Sequence, residues 1–241
     1  MAATDLTAPP SGTRAWRWVL EHIEAELLDG RLAPGDRLPP ERELAARLGV
    51  GRSSVREALR VLEVLGLVRT GTGSGPTSGA IIIATPRGGM SALLRLQVAA
   101  QGFPLADVVA TRLLLEMAVA ADVAAADEPD LGPVHEALSA MDAVDLTPDE
   151  FLTLDAQFHL SLAEASGNVV VAAMMAGLRT SVESYVRAAA ASITDWSATA
   201  DRLRGEHRGI VDAIARHDAE LSRTLIHDHI TGYYTQTRLG A

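Results

Sequence analysis

The sequence predicts a mainly α-helical protein with two domains: an N-terminal winged helix-turn-helix with a small β-hairpin wing, then an all-α bundle of six or seven helices. Three observations predict this fold class. Residues 38–68 hold two short helical patterns joined by a glycine-containing turn. Two short strand patterns follow, separated by a glycine-rich stretch. Beyond them the apolar residues recur with helical spacing. The break TPRGG at residues 85–89 predicts domains at 1–84 and 85–241.

The first predicted helix runs from about Arg14 to Asp29 and ends at Gly30. The residues expected to face inward are Trp18, Ile23, Leu27 and Leu28. The stretch RLAPGDRLPP that follows is predicted to be a turn-rich link.

The stretch LPPERELAARLGVGRSSVREALRVLEVLGLV then forms the two helices, with Gly49 ending the first. The second begins near Arg52, and its apolar residues Val55, Leu59, Leu62 and Leu65 recur at helical spacing. Its N-terminal end carries Arg52, Ser53, Ser54 and Arg56, at the end that a recognition helix offers to the major groove. Helix-turn-helix geometry also occurs as plain packing, however, and an arginine near a helix start is often only solvated.

The wing is predicted as a strand LVRT, a loop from Thr70 to Gly79, and a returning strand AIIIA. Gly73 lies where a wing tip would approach the minor groove. Alternatively, the loop glycines only keep a long hairpin pliable. A phosphate-binding loop is excluded, because no Lys-Ser/Thr pair and no helix follow.

Composition limits the classes of function. The net charge is −10, but residues 1–84 hold ten arginines and ten acidic residues, so the deficit lies entirely in the second domain. Without cysteine there are no disulfides or thiolate metal sites. No apolar run is long and pure enough to cross a membrane, and no secretory signal is found, so we expect a cytoplasmic protein without a membrane partner.

The second domain is predicted to be helical at about 89–101, 104–126, 131–144, 148–166, 169–192, 195–216 and 218–238. Asp155 and His159 lie one helical turn apart on an apolar stripe. His207 shares a stripe with Leu203 and Ile210, and His229 follows Leu221 and Leu225. Burying these four polar groups without partners would be costly, and a shared metal ion would remove that cost. Alternatively, backbone carbonyls or the histidines themselves satisfy each group separately.

The helix-turn-helix stretch resembles the winged-helix signature of GntR-family bacterial regulators, although the wing loop is longer than is usual there. This resemblance implies operator contacts by Arg42, Arg52 and Arg56, with Ser53, Ser54 and Gly73 beside them.

The second domain resembles the FadR-type effector domain, in the subset that binds a divalent metal through one Asp and three His. Its D-x-x-x-H, E-H-x-x-I and final His correspond to Asp155, His159, His207 and His229. Nitrogen and oxygen ligands suit Zn²⁺ or Ni²⁺. Arg112, in ATRLLLEMAVAA, matches an arginine that reaches toward an effector carboxylate. Its plain alternative is a salt bridge to Glu116 on a solvated face.

Together these resemblances imply a homodimeric, ligand-responsive transcription regulator and not an enzyme. Its partners would be a pseudo-palindromic double-stranded DNA operator and a small carboxylic acid. The alternatives are a metal-responsive sensor or a metal-dependent enzyme joined to a DNA-binding domain.

Overall fold

A computed structural model of the chain describes residues 13–71, 79–83 and 87–237. The chain divides into two compact units, residues 1–89 and 90–241.

The first unit is a winged helix-turn-helix. Its elements are α1 (Ala15–Leu28), α2 (Glu41–Arg47), α3 (Arg52–Val64), β1 (Val68–Gly71) and β2 (Gly79–Ile82). The two strands are antiparallel, with Val68 opposite Ile82 and Gly71 opposite Gly79. The predicted fold class is therefore confirmed for this unit.

The core of this unit lies where α1 packs against α3, and Val19, Ile23, Val55 and Ala58 are completely buried there. Leu28, predicted to face inward, is instead 81% exposed, and Leu65, the last of the apolar residues that recur along the second predicted helix, is 46% exposed. Leu28 lies five residues after Ile23, which places it roughly 140° around the helix from the core side. Leu65 follows the end of α3, where the chain turns away through Gly66, which has a φ of 73°.

The turn between α2 and α3 has the backbone conformation predicted for it. Gly49 follows α2 with a φ of 63°, a left-handed conformation in which a side chain would be strained. The Val50 N–H donates to the Ala45 carbonyl at 3.1 Å, which closes the end of the helix.

The link before α2, predicted to be only a turn-rich connection, also forms backbone hydrogen bonds with β2. Its backbone pairs with β2, since the Leu38 N–H donates to the Ala80 carbonyl and the Ile82 N–H donates to the Asp36 carbonyl, both at 2.9 Å. This extended segment covers one edge of the hairpin. No alternating pattern in this segment is long enough to predict the pairing.

The second unit is an all-α bundle. The helices are α4 (Arg87–Ala99), α5 (Leu105–Ala125), α6 (Gly132–Met141), α7 (Pro148–Ala165), α8 (Val169–Ala190), α9 (Trp196–Ala215) and α10 (Ala219–Thr237). The residues that the structure describes thus give seven helices, close to the predicted ranges. One detail differs: α4 already begins at Arg87, inside the stretch predicted to be a break.

Helix α5 is the element around which the bundle is built, because it packs against α7, α8, α9 and α10. Its Ala120, Val123 and Ala124 are completely buried and admit these neighbours closely. Helix α10 buries Ser222, Ile226 and Ile230, whereas Leu221 and Leu225, predicted to share the face of His229, are only partly buried.

Side-chain caps fix three helix starts. Thr147 and Glu150 form a reciprocal capping box at α7, Asn168 accepts from the Val170 and Val171 N–H groups, and Asp195 accepts from the Ala198 N–H. Helix α8 is, in length and composition alone, the one described helix that could cross a membrane. It packs within the bundle, where Ala172, Met175 and Leu178 are buried in apolar clusters.

Candidate metal centre and DNA-binding surface

The side chains predicted to contact DNA lie on one exposed part of the first unit. Arg42, Arg52, Ser53 and Arg56 are exposed and Ser54 is partly exposed. Helix α3 has no side-chain cap at Gly51, so the first backbone N–H groups of this helix end are open to an anion. Gly73, predicted to lie at the wing tip, falls outside the described residues.

Arg56 differs from its neighbours because a carboxylate already holds it. Its Nη2 donates to Glu41 Oε2 at 2.8 Å and its Nε donates to Oε1 at 3.3 Å, a two-point contact between α3 and α2. The hydrogen bonds from Arg56 lower the pKa of Glu41. Arg42 and Arg52 make no hydrogen bond or ion pair with the rest of the described chain. Their guanidinium groups therefore remain open to phosphates and base edges.

Asp155, His159, His207 and His229 converge inside the second unit. Helix α7 supplies Asp155 and His159, α9 supplies His207, and α10 supplies His229. One ligand atom from each lies within 4.8 Å of all the others. Asp155 Oδ1 is 3.2 Å from His207 Nε2, 3.7 Å from His159 Nε2 and 3.9 Å from His229 Nε2. The three imidazoles are buried, His207 completely.

Two further carboxylates orient the rings. Glu116 Oε2 contacts His159 Nδ1, and Glu206 Oε2 accepts from His229 Nδ1 at 2.8 Å. A carboxylate at Nδ1 holds the proton there and leaves the lone pair on Nε2, which suits a metal ligand. Neither glutamate is among the residues predicted for this role from the sequence, although Glu116 follows Arg112 by one turn and Glu206 precedes His207.

The charges of the centre depend on burial and on neighbouring groups. Burial alone would raise the pKa of Asp155, but His159, His207 and Arg179 outweigh it and hold that pKa well below its ordinary value. Burial lowers the pKa of His207, and His229 lowers it further. Burial also lowers the pKa of His229. The centre therefore combines an ionised Asp155 with two imidazoles, His207 and His229, whose neutral form is favoured, as metal ligation requires.

The arrangement fits a divalent metal. His159 Nε2 and His229 Nε2 lie only 3.1 Å apart. If the carboxylates beside the two Nδ1 atoms hold the protons there, both Nε2 atoms present lone pairs to each other. His207 Nε2 is buried and has no hydrogen-bond partner among the described residues. Two nitrogens bound tetrahedrally to zinc at about 2.0–2.1 Å would be about 3.3 Å apart. A cation among the Nε2 atoms would remove the repulsion of the lone pairs.

A cavity of about 270 Å³ opens beside this centre, bounded by α5, α7, α8, α9 and α10. Asp155 and His229 are among the residues that line it, together with Arg112, Tyr233 and Tyr234. The volume corresponds to about nine waters at about 30 Å³ each, so the space suits a small molecule.

Arg112 lies in the wall of this cavity and is buried. Its Nε donates to Glu116 Oε1, and its Nη1 donates to the Tyr234 hydroxyl at 3.1 Å. The salt bridge considered for Arg112 is thus present, but the expectation that it lies on a solvated face is wrong. Glu116 is 3% exposed, because α5 is surrounded by other helices along this turn.

Arg179, on α8, is a cavity residue that sequence analysis missed. Its Nη2 donates to Asp155 Oδ2 at 2.7 Å, on the opposite carboxylate oxygen from the one that faces the imidazoles. The only sequence signal is an arginine within an apolar helix. Three histidines outside the centre have separate partners: Glu26 for His22, the Ala124 carbonyl for His217, and Asp228 for His227.

Comparison with known proteins agrees with both units. Residues 17–77 match the family described as bacterial regulatory proteins, gntR family, and residues 107–232 match the FCD domain. A putative L-lactate dehydrogenase operon regulatory protein of Escherichia coli K12 is 28% identical over 225 residues, covering 90% of this chain and 84% of the relative. The transcriptional repressor NanR of Escherichia coli K12 is 31% identical over 222 residues, covering 88% and 80%.

A solved structure of a Streptococcus agalactiae GntR superimposes with a TM-score of 0.63 at 25% identity, covering 90% of this chain and 97% of that one. The matched families are regulatory proteins rather than enzymes. The enzyme alternative is therefore set aside.

Proposed function

This chain belongs to the GntR family of bacterial regulatory proteins, with an FCD domain after its winged helix. From this premise we propose that a small carboxylic acid, bound with the help of a divalent metal ion, controls the binding of the protein to DNA. Transcription regulation itself follows from the family. The metal, the acid and the residues that hold them are our proposal.

One observation carries the proposal: two of the four clustered metal-type donors, Asp155 and His229, line the same small cavity as the buried Arg112. Asp155, His159, His207 and His229 would hold a divalent ion such as Zn²⁺ or Ni²⁺. The bound ion would supply a positive charge that attracts a carboxylate. Arg112 would meet the acid from another side of the cavity with the donors that Glu116 and Tyr234 leave free.

In the first unit, Arg42, Arg52 and Arg56 would contact the operator, with Ser53 and Ser54 as partners for phosphates or base edges. A homodimer would place two such units on a pseudo-palindromic site. The relatives are bacterial transcription regulators, which supports a cytoplasmic location. A relative named for an L-lactate dehydrogenase operon supports an organic acid as the effector class.

Regulation requires that the acid bind the DNA-competent and DNA-incompetent states with different affinity, because equal affinity shifts nothing. The test is a gel-shift titration of the full chain on the DNA upstream of its own gene. Zinc-loaded and chelated protein are compared, each with a panel of small carboxylic acids. We expect an acid to change operator affinity only when zinc is bound.

Arg112→Ala should keep operator and zinc binding but lose the response to that acid. Loss of the charge-assisted contact should weaken acid binding by roughly ten- to a hundred-fold, measured by isothermal titration. If the variant binds the acid normally, Arg112 only pairs with Glu116 and the assignment is wrong. If zinc alone switches operator binding and no acid matters, the protein is a metal sensor.

A further inference from the structure

Arg179 is the feature of the cavity that the proposed function does not use. Its side chain is 11% exposed, and one of its three nitrogens, Nη2, is held by Asp155. Nη1 lies 3.6 Å from Glu116 Oε1, too far for a hydrogen bond. Nε and Nη1 are buried and have no hydrogen-bond partner within the described ranges.

Buried donors on a charged group are costly to leave unpaired. Arg179 also lines the cavity together with Arg112, so its side chain is beside the space that a ligand would occupy. If Arg179 served only to position Asp155, a single hydrogen bond would satisfy that role, and the two open nitrogens would have no explanation. An anionic oxygen in the cavity would satisfy them.

The balance of buried charge indicates how many anionic groups the ligand carries. The largely buried charged side chains around the cavity are two cations, Arg112 and Arg179, and two carboxylates, Glu116 and Asp155. These four charges cancel. Glu206 is already paired with Arg202 at the surface. A divalent ion bound by neutral imidazoles therefore adds two positive charges that no described buried side chain balances.

The mouth of the cavity does not alter this balance. Arg187 pairs there with Glu183 at 2.9 Å and with Asp149 at 3.2 Å, and both carboxylates are exposed to solvent. Between the charged groups the wall is apolar, with Leu152, Val182, Leu203 and Ile230. Such a wall suits a short carbon chain.

We propose that the effector is a small dicarboxylate and that Arg179 binds its second carboxylate. This inference rests on the proposed function, because it assumes the metal and the first carboxylate contact. It adds the charge class of the ligand and a residue that selects it. A monocarboxylate would leave the Arg179 donors unpaired and one positive charge unbalanced.

The test compares acids that match in length but differ in charge. Full-length protein is loaded with zinc, its metal content is measured, and it is titrated calorimetrically with malonate and propionate, succinate and butyrate, and glutarate and valerate. L-Lactate is included as a small monoanionic hydroxy acid. We expect at least one dicarboxylate to bind ten-fold or more tightly than its matched monocarboxylate and than lactate.

In Arg179→Gln this preference should fall by about ten-fold, while the affinity for the monocarboxylate changes little. Arg208→Gln is the control for losing one positive charge, since Arg208 is an exposed side chain of α9 paired with Asp142. It should keep the wild-type ratio of affinities. If Arg179→Gln binds zinc less tightly, Arg179→Lys is the second variant, because it keeps the positive charge but lacks the paired N–H donors of the guanidinium group. It should retain the zinc ion and lose part of the preference for the dicarboxylate.

Equal binding of mono- and dicarboxylates by the wild type would overturn the ligand class. An unchanged ratio in both Arg179 variants would overturn the role of Arg179. Neither result would affect the proposed function. If the zinc-loaded wild type bound no acid of either class, or took up no zinc, the proposed function itself would fail.

Discussion

Two arginine–glutamate pairs, one in each unit, have the same chemistry in opposite surroundings. In the first unit the Arg56 and Glu41 side chains are 57% and 36% exposed, whereas in the second the Arg112 and Glu116 side chains are 7% and 4% exposed. Water screens the first pair, so it contributes little to stability and its arginine can exchange partners. The second pair is desolvated, and removing either partner leaves a buried charge unbalanced.

The same difference holds for the two functional surfaces. The five predicted DNA contacts that the structure describes lie within fifteen consecutive residues, from Arg42 to Arg56, and four of them are exposed. The metal-type donors are buried and come from three helices between Asp155 and His229. The first surface is therefore expected to tolerate substitution without loss of folding, and the second is expected to combine function with stability.

The largest effect is expected from Glu116→Ala. It removes the carboxylate that Arg112, His159 and Arg179 share, and it leaves buried cations unpaired. The free energy of unfolding should fall by about 3–5 kcal/mol. Urea denaturation followed by circular dichroism measures this, with Glu41→Ala as the exposed counterpart, whose midpoint should stay near that of the wild type. Equal midpoints for the two variants would remove the proposed contrast between the pairs.

Metal removal should have the next largest effect. At free zinc a hundred-fold above the dissociation constant, binding stabilises the folded protein by about 2.7 kcal/mol. For a chain of this size, chelation should then lower the melting temperature by roughly 5–10 °C. His229→Ala should remove most of that difference. His227→Ala, an exposed histidine on the same helix, should keep it. A melting temperature independent of chelator and zinc would mean that the four groups form only a buried polar network.

Substitutions on the predicted DNA-binding surface should change the affinity for DNA and not the stability of the fold. Arg52→Ala should weaken operator binding by roughly ten- to a hundred-fold if the arginine binds guanine through two hydrogen bonds, with no change in melting temperature. Arg31→Ala removes an exposed arginine that pairs with Asp29 outside the predicted contact set, and it should bind almost normally. If gel shifts show wild-type affinity for both Arg52→Ala and Arg56→Ala, the assignment of α3 as the recognition helix is wrong.

The smallest effect is expected from Glu41→Gln. The variant releases Arg56 from its carboxylate, so one further positive charge becomes available to a phosphate. The slope of log affinity against log salt concentration should then steepen by about 0.9. Fluorescence anisotropy over a range of salt concentrations measures this slope. An unchanged slope would indicate that DNA already displaces Glu41 from Arg56 in the wild type.

Much of the fold could be predicted because its signals are local. Gly49 ends α2 through its own backbone conformation, and the capping residues Thr147, Asn168 and Asp195 start helices within a few residues of themselves. The helical spacing of Asp155 and His159 likewise predicts that both face the same side. These features depend on neighbouring residues, so the sequence contains them directly.

By itself the sequence determined the winged helix, the helices of the bundle and the shared helix face of Asp155 and His159. Only the tertiary structure decided that Nε2 of His159 and His229 lie 3.1 Å apart, that Glu116 and Glu206 hold their Nδ1 atoms, and that Arg179 enters the same cavity. The physical reason is that periodicity sets the direction of a side chain around its own helix axis. The distance between side chains on different helices depends on how those helices pack, and packing is determined by the whole core.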